Sequence, residues 1–393
     1  MKYILPVIVL SQFLCTTLWF VGNAVMPEVI EAFRFDQLFF AHQTSAVQFG
    51  FISGTLIFAV LTIADRFSPS RVFFYCAMAG AMMNLGILSS SNGFASILIL
   101  RYFTGFFLAG IYPVGMKIAA DYFDKGLGRS LGFLVGALVL GTAFPHLLRG
   151  YLTDVPWRVI IITSSSLAIL GGFLIRAFVP DGPYRKTAGE MDFTASFKVF
   201  AHPGFRSAAF GYFGHMWELY TFWAFVPLML TTYSAMHPDV EWNVPVLSFT
   251  IIGVGGVACM ISGRLSERIG LRTGAALALF LSGVCCIVSP FVFQVEAPTA
   301  FIAFLVFWGM VVVADSPLFS TLVAQNASAH HRGAALTIVN CIGFAITIVS
   351  IQVTGALSAT INPTFLYFGL SIGPLLGLIA LARGKEANPQ SAL

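Results

Sequence analysis

Two long apolar runs in the second half of the chain are joined by ten residues that read GRLSERIGLR, from Gly263 to Arg272. The first half carries a weaker copy between two earlier apolar runs, LTIADRFSPSR, from Leu61 to Arg71. Asp65 of the first copy and Glu267 of the second are 202 residues apart. A short charged turn between apolar runs, present twice, indicates a membrane protein that contains a duplicated unit.

Two further pairs of residues repeat at almost the same spacing. Pro113 and Pro317 are 204 residues apart, and Arg129 and Arg332 are 203 residues apart. Because three features share nearly one offset, we expect two copies of a six-helix unit. A polar stretch separates the copies, so we predict an N-terminal half, a cytoplasmic linker, a C-terminal half and a cytoplasmic tail, at 1–179, 180–206, 207–383 and 384–393.

The composition requires a membrane environment. The chain is 58% apolar and 10% charged, whereas a soluble chain is about 45–50% apolar and about a quarter charged. Each span needs about 20 apolar residues, so 393 residues hold about a dozen spans. The 21 Lys and Arg stand singly and form no basic patch, which argues against nucleic-acid binding. The six cysteines lie in apolar runs without metal-ligand spacing.

Apolar windows of about 19 residues predict twelve spans, at 4–27, 43–64, 72–92, 96–120, 129–150, 157–178, 207–233, 245–264, 273–293, 298–324, 334–358 and 362–383. Cytoplasmic loops keep most of the positive charge of a membrane protein. With the N-terminus inside, 16 Lys and Arg lie on the cytoplasmic side and three outside. We therefore expect an all-α, multi-pass protein of a bacterial-type inner membrane, with both termini cytoplasmic.

The quoted turn also carries a family resemblance. Gly263 to Arg272 closely resembles the loop signature of the major facilitator superfamily, G-x-L-[AS]-[DE]-R-x-G-x-[RK], and Arg101 followed by Gly105 resembles its signature R-x-x-x-G in span 4. The first-half copy departs from the pattern at Leu61 and Ser68, where glycines are usual. The resemblance implies twelve transmembrane helices in two pseudo-symmetric six-helix halves. Spans 1, 4, 7 and 10 would line a cavity near the bilayer midplane.

Two subfamilies match less well. Antiporters of this family often carry G-x-x-x-G-P-x-x-G-G in span 5, where this chain has Ala137 in place of the proline, so export by antiport is not supported. Spans 4 and 7 resemble members described as nitrate/nitrite transporters. Those porters use one arginine in span 2 and one in span 8, whereas 43–64 and 245–262 contain no basic residue. Nitrate is therefore not the predicted solute.

Charges at the ends of spans are candidates for gates. In the implied fold Asp65 and Asp121 lie close enough to arginines of the same face to form ion pairs, which would stabilise one conformation. The alternative is that all of these are solvated charges at helix ends. The predicted gating residues are Asp65, Arg66, Arg71, Asp121, Arg129, Glu267, Arg268 and Arg272.

Five ionisable residues fall inside predicted spans, all on spans 4, 7 and 10. Such residues cost at least about 2.5–3.5 kcal/mol each near the bilayer centre and usually have a function. His215 and Glu218 share one face of span 7, where a carboxyl beside an imidazole can exchange protons. We expect His215, Glu218 and Asp315 to couple protons to transport. The alternatives are a structural pair on span 7 and a static pairing of Asp315 with Lys117 or Arg101.

The same cavity should bind the solute. Arg101 and Lys117 would give it positive charge that suits a carboxylate or another anion, although Lys117 is also close enough to the surface to extend there. Aromatic side chains could form its walls, but each is also explained by packing. The predicted substrate-binding residues are Arg101, Tyr112, Lys117, Tyr212, Trp217, Tyr220, Trp19 and Asn23.

The sequence contains no motif of an enzyme and none that requires a cofactor. We predict a secondary active transporter that moves a small anionic organic solute by alternating access and proton symport. Its partners would be the solute, protons and the lipid bilayer, with no nucleic acid, and it would act as a monomer. The first alternative is an efflux transporter for amphipathic or cationic compounds. The second is a non-transporting membrane sensor.

Overall fold

The computed structural model describes residues 3–123, 127–152, 155–185, 199–327 and 332–384, and every regular element in these ranges is helical. The first half contributes six spans, numbered 1 to 6 in chain order: Ile4–Ala24, Phe39–Val60, Pro69–Gly86, Phe94–Leu108 continued by Tyr112–Tyr122, Leu127–Tyr151, and Trp157–Phe178. The prediction of six helices in this half is confirmed. Span 2 ends earlier than predicted, because Thr62 adopts a left-handed backbone with φ of 48° that helices do not continue through.

The second half contributes spans 7 to 12: Pro203–Met236, Val244–Ile269, Leu271–Val292, Pro298–Ala314 continued by Ser316–Gln325, Arg332–Ser358, and the 3₁₀ segment Pro363–Ser371 continued by Ile372–Arg383. Within the described ranges, ten spans are long and apolar enough to cross a bilayer. Spans 3 and 7 complete the twelve. Span 3 has 18 residues, and span 7 carries His215 and Glu218 in its middle.

The two ends of the bundle need names. Span 1 begins and span 12 ends at one end, which we call the terminal face; the opposite end is the distal face. Helix Met26–Phe33 follows span 1 at the distal face and packs Val29 and Ile30 into an apolar cluster with Ile161 of span 6. Arg149 of span 5 pairs there with Glu28 at 2.5 Å.

The two halves repeat one close helix crossing. A Cβ on Gly105 of span 4 would overlap the carbonyl oxygen of Val47 in span 2, and a Cβ on Gly309 of span 10 would overlap that of Ile251 in span 8. Both pairs are related by 204 residues. Glycine is required at each crossing because backbone meets backbone there. The repeat detected in the sequence is therefore present in the packing.

Spans 4 and 10 are each interrupted. Span 4 leaves the helix between Leu108 and Tyr112, and span 10 does so at Asp315. Pro113 and Pro317 lie in the first turn of the following segments, where proline removes no intrahelical hydrogen bond. In both halves the interruption therefore comes just before a proline.

Contacts between the halves are strongest toward the distal face. Asn243 at the start of span 8 donates from Nδ2 to the carbonyl of Gly150 in span 5 at 2.9 Å. Gln352 of span 11 donates from Nε2 to Ser45 Oγ of span 2 at 2.8 Å. These contacts join span 5 to span 8 and span 2 to span 11.

The same helix pairs are loosely packed at the terminal face. Gly132 of span 5, Gly263 of span 8 and Gly333 of span 11 have no neighbouring heavy atom within 4 Å of where a Cβ would stand. By contrast, a Cβ on Gly150 at the distal end of span 5 would collide with Val246 of span 8. The interface between the halves is therefore closed at the distal face and looser at the terminal face.

Candidate functional site

A cluster of aromatic rings lies where the two halves meet, and we call it the aromatic plug. Trp19 of span 1 stacks on Tyr220 of span 7 with ring centroids 5.9 Å apart, and Tyr220 lies 5.2 Å from Phe344 of span 11. The plug consists of Trp19, Phe20, Phe51, Tyr220, Trp223 and Phe344, all buried. It fills the middle of the interface on the distal side of the polar residues described next.

His215 and Asp315 form a buried pair on the terminal side of the plug. His215 Nδ1 lies 2.7 Å from Asp315 Oδ1, and both side chains are 1% exposed. The contact is short but poorly aligned, and neither side chain has a well-formed hydrogen bond to another described residue. Tyr212 and Phe319 flank the imidazole with centroids 5.8 and 6.1 Å away. Since Asp315 stands at the interruption of span 10, its carboxyl belongs to a segment that can bend.

Two predicted tyrosines complete this layer. Tyr112 of span 4 lies within electrostatic range of Tyr212 and Tyr220 of span 7. Residues of both halves are therefore neighbours at this level. Cys259 of span 8 lies within the same range of Asp315 and Tyr112. The indole N–H groups of Trp19 and Trp223 in the plug donate to no described residue. The layer therefore offers one acid and one imidazole, and the plug beside it offers two indole donors.

Glu218 occupies a different site from the one predicted. Its carboxyl accepts hydrogen bonds from Trp308 Nε1 at 2.6 Å, Ser282 Oγ at 2.9 Å and Cys286 Sγ at 3.3 Å. All three donors belong to spans 9 and 10 of the same half. The expected pair of His215 with Glu218 is absent, because Glu218 turns toward span 9 while His215 turns toward Asp315.

Ser282 can form a hydrogen bond with Glu218 whether the carboxyl is ionised or protonated. Its hydroxyl lies 2.9 Å from the Glu218 carboxyl and also 3.1 Å from the carbonyl of Leu279. When Glu218 is ionised, the hydroxyl can donate to it. When Glu218 is protonated, the hydroxyl can donate to Leu279 and accept from the acid.

Arg101 forms its hydrogen bonds within its own half of the molecule. Its guanidinium donates to the carbonyls of Trp19 at 2.7 Å and Leu18 at 3.2 Å, and to Asn84 Oδ1 at 3.2 Å. These bonds fix span 4 to spans 1 and 3. Nearby, Asn23 donates to Thr44 Oγ1 at 3.0 Å. The alternative in which Arg101 neutralises Asp315 is not realised in this structure.

Lys117 binds the two acids that were expected to pair with arginines. Its ammonium lies 2.8 Å from Asp65 and 3.5 Å from Asp121. Arg66 is exposed and donates from Nε to Thr62 Oγ1 at 3.0 Å. Lysine takes the arginine's place because it is one helical turn from Asp121 on the same face of span 4. Lys117 therefore joins span 4 to the turn after span 2, and it is not a charge beside the aromatic plug.

The remaining predicted residues lie elsewhere. Arg71 faces a cleft at the terminal face, and the side chain of Arg129 lies outside the described residues. Glu267 and Arg268 are exposed, whereas Arg272 donates to the carbonyls of Leu381 and Gly384 at the end of span 12.

Trp217 also faces span 12, where its Nε1 is 3.4 Å from the carbonyl of Gly369. The sequence did not single out Phe51, Phe344, Ser282 or Trp308. With 40 Phe in the chain, no local signal separates the three that enter the plug, Phe20, Phe51 and Phe344, from the rest.

Twelve spans in two similar halves, with interruptions in spans 4 and 10 and a buried polar site between the halves, define a polytopic membrane transporter. The family model of the Major Facilitator Superfamily matches residues 8–351. The chain belongs to the major facilitator superfamily.

Curated relatives are similar over part of their length. "Efflux pump FUB11" of Gibberella fujikuroi is 28% identical over 177 residues, 44% of this chain and 30% of that protein. "Efflux pump FUBT" of Fusarium oxysporum is 27% identical over 193 residues, 47% of this chain and 32% of that protein. The chain thus aligns with about a third of each of these relatives.

Solved structures share the whole fold. A bacterial homolog of the human lysosomal transporter Spinster, in an inward-facing and occupied conformation, is 16% identical with a TM-score of 0.68, covering 97% of this chain and 95% of that one. The inward-facing, unoccupied conformation is 17% identical with a TM-score of 0.64, covering 97% and 94%. At this level of identity the likeness concerns the fold.

Proposed function

We propose that this transporter exchanges protons for a small amphipathic cation by alternating access, with His215 and Asp315 binding both the proton and the solute. The observation that carries the proposal is the position of the pair. It is buried on the terminal side of the aromatic plug, where the interface between the halves is looser, and it stands at the interruption of span 10. A site that alternates between two aqueous sides must lie there.

The charge of the pair supports competition between a proton and a cation. A protonated imidazole beside an ionised carboxyl is neutral, whereas loss of that proton leaves one negative charge. A buried negative charge without a partner is unfavourable, so a cationic solute would replace the proton. Binding of each would then lower the affinity for the other by the same factor.

The aromatic groups suit the rest of such a solute. Tyr212 lies beside the imidazole, and the plug presents Trp19 and Tyr220 at the next level. Aromatic faces attract organic cations by about 0.5–2 kcal/mol per ring, depending on desolvation. Two curated relatives carry the name efflux pump, which agrees with this solute class. Ala137 stands where the antiporter signature has a proline. The proposal therefore rests on the residues of the site and not on that signature.

Symport of an anion is the second candidate. It was based on Arg101 and Lys117, and both now have protein partners. One observation still favours it: Nε of Arg101 is buried without a hydrogen-bond partner among the described residues, so it could donate to an anion. An anion held there would sit inside the N-terminal half, and not against His215.

Binding of two aromatic probes separates the candidates. Purified protein should bind tetraphenylphosphonium more weakly at acidic than at alkaline pH, and Asp315→Asn should lose this binding. Asp239→Asn removes the same charge from the distal surface and serves as the control. Naphthalene-2-sulfonate should bind weakly to all three proteins. Preferential binding of the sulfonate, with loss in Arg101→Gln, would replace the cation proposal by the anion one.

We also propose that the terminal face is cytoplasmic in a bacterial-type inner membrane. All six cysteines are buried and unpaired, which gives a low labelling background. Glu241→Cys at the distal face should react with an impermeant maleimide on intact cells, and Tyr184→Cys at the terminal face only after permeabilisation. The reverse pattern would contradict this orientation.

A further inference from the structure

A cleft of about 670 Å³ opens at the terminal face between the ends of spans 1, 3 and 6. Arg71 lines it from the first turn of span 3, and Arg176 from the last turn of span 6. Neither guanidinium has an ion-pair or hydrogen-bond partner in the part of the chain that the structure describes. Asp181 at the rim is already engaged, since it accepts from Ser68 at 2.6 Å and from Arg185 at 2.7 Å. The cleft therefore presents two cations that no described residue pairs with.

The second half shows why Arg71 does not cap the end of span 6. There Arg272 caps the end of span 12 by donating to the carbonyl of Leu381. In the first half Ser70 does the same for span 6, donating from Oγ to the carbonyl of Val179 at 2.6 Å. Ser70 and Arg272 are 202 residues apart, as are Val179 and Leu381. Because Ser70, a small residue, donates to the end of span 6, the neighbouring Arg71 is not needed for that contact. Its side chain lines the cleft instead of filling it.

The donors in this cleft match a phosphate group. A guanidinium binds phosphate through two parallel hydrogen bonds. Span 3 begins at Pro69, and no side chain caps its first N–H groups, so the positive end of an 18-residue helix also faces the cleft region. Tyr3 and Ser68 add hydroxyl groups to the lining. The ligand class indicated is an organic or inorganic phosphate.

The surroundings select a lipid over a free anion. Tyr75 lies one turn beyond Arg71 on span 3 and is 66% exposed, and Phe173 lies one turn before Arg176 on span 6 and is 53% exposed. Phe74 packs on Phe173 at 5.2 Å, which closes the groove between the two spans. An apolar surface thus runs from the cleft along the membrane-facing side. We propose that Arg71 and Arg176 bind the phosphate headgroup of an anionic phospholipid whose acyl chains lie along spans 3 and 6.

The test uses the full chain in phosphatidylcholine nanodiscs. Dioleoylphosphatidylglycerol is added in increasing proportion, and bound lipid is counted by native mass spectrometry together with the apparent Tm. We expect phosphatidylglycerol to bind and to raise the apparent Tm more than dioleoylphosphatidylcholine does. The double variant Arg71→Gln/Arg176→Gln should bind it about tenfold more weakly. The control Arg264→Gln/Arg383→Gln removes two exposed charges from the same face of the other half and should bind as the unchanged protein does.

Three results would overturn the lipid site. The first is equal phosphatidylglycerol binding by the unchanged protein and the Arg71/Arg176 variant. The second is equal loss in both double variants, which would reduce the effect to general surface charge. The third is stabilisation by inorganic phosphate that depends on Arg71 and Arg176 while phosphatidylglycerol adds nothing, which would identify a site for a free anion. If the double variant does not fold, the single Arg176→Gln variant is measured by the same lipid count.

Discussion

The two buried acids of the C-terminal half lie in opposite surroundings. Glu218 accepts from three donors of spans 9 and 10, at 2.6, 2.9 and 3.3 Å. Asp315, with the same 1% or less of its surface exposed, contacts only His215 closely and has no well-formed side-chain hydrogen bond to a described residue. Both acids have their close partners in the C-terminal half, but Glu218 is held by three donors, whereas Asp315 stands at the interruption of span 10 with only His215 beside it among the partners described above.

This difference in hydrogen bonding suggests different roles for the two acids. A carboxyl that accepts hydrogen bonds from three buried donors is held in place by them. A buried carboxyl without a well-formed hydrogen bond gains more from binding a proton or a cation. Intramembrane acids in general are candidates for function, but only the partners distinguish these two. We therefore propose that Asp315 carries the coupling and that Glu218 has a structural role.

The largest expected effect is on coupled transport by Asp315→Asn. In liposomes, accumulation of tetraphenylphosphonium driven by a pH gradient should fall to the level of protein-free vesicles, because the variant can no longer exchange a proton for the cation. Glu218→Gln is the matched control and should retain most of the accumulation. If Glu218→Gln abolishes accumulation and Asp315→Asn does not, the two roles are reversed.

The next effect is on stability. Glu218→Ala should lower the free energy of unfolding in mixed micelles by about 3 kcal/mol, since it leaves Trp308 Nε1 without an acceptor and creates a cavity. Glu218→Gln should cost about 1 kcal/mol, because its amide oxygen can still accept from Trp308 while Ser282 donates to Leu279. If both variants lose the same free energy of unfolding, the acceptor oxygen at position 218 contributes nothing to stability.

Trp308→Phe should have a smaller effect of about 1–2 kcal/mol. It removes one donor to Glu218 but keeps the ring that packs on Phe222 at 4.8 Å. Coupled transport should survive, measured as initial rate at saturating solute. A variant of normal stability that fails to transport would mean that the Glu218 network takes part in the cycle.

The smallest expected effect is the difference in stability between variants of two neighbouring cysteines. Cys286 donates to Glu218 and Cys285 does not, although both are buried. Thiols are weak donors, so Cys286→Ala should cost only about 0.5 kcal/mol more than Cys285→Ala in the same unfolding assay. If Cys285→Ala is the more damaging change, the third donor contributes nothing.

The fold could be read almost completely from the sequence. Apolar windows placed all twelve spans because that signal is local, and the repeated Pro113 and Pro317 lie just after the two interruptions. The offset of about 203 residues recurs at the crossings of Gly105 and Gly309. Only span ends were misplaced, as at Thr62, where a single left-handed residue ends the helix.

The site could be read only in part. Helical spacing correctly put His215 and Glu218 on one span, but it does not tell which neighbouring helix each side chain meets. The partners Asp315 and Trp308 are 100 and 90 residues away in sequence, and pairing at that distance depends on the packing of the bundle. For the same reason Lys117, one turn from Asp121, was not recognised as the partner of Asp65.

The most direct test of the central claim is proton release on binding. Purified protein in weakly buffered micelles is mixed with saturating tetraphenylphosphonium, and a pH indicator records the protons released per bound cation. Exchange at the His215 and Asp315 pair predicts close to one proton for the unchanged protein and for Glu218→Gln, and none for Asp315→Asn. Release that persists in Asp315→Asn and disappears in Glu218→Gln would contradict the account.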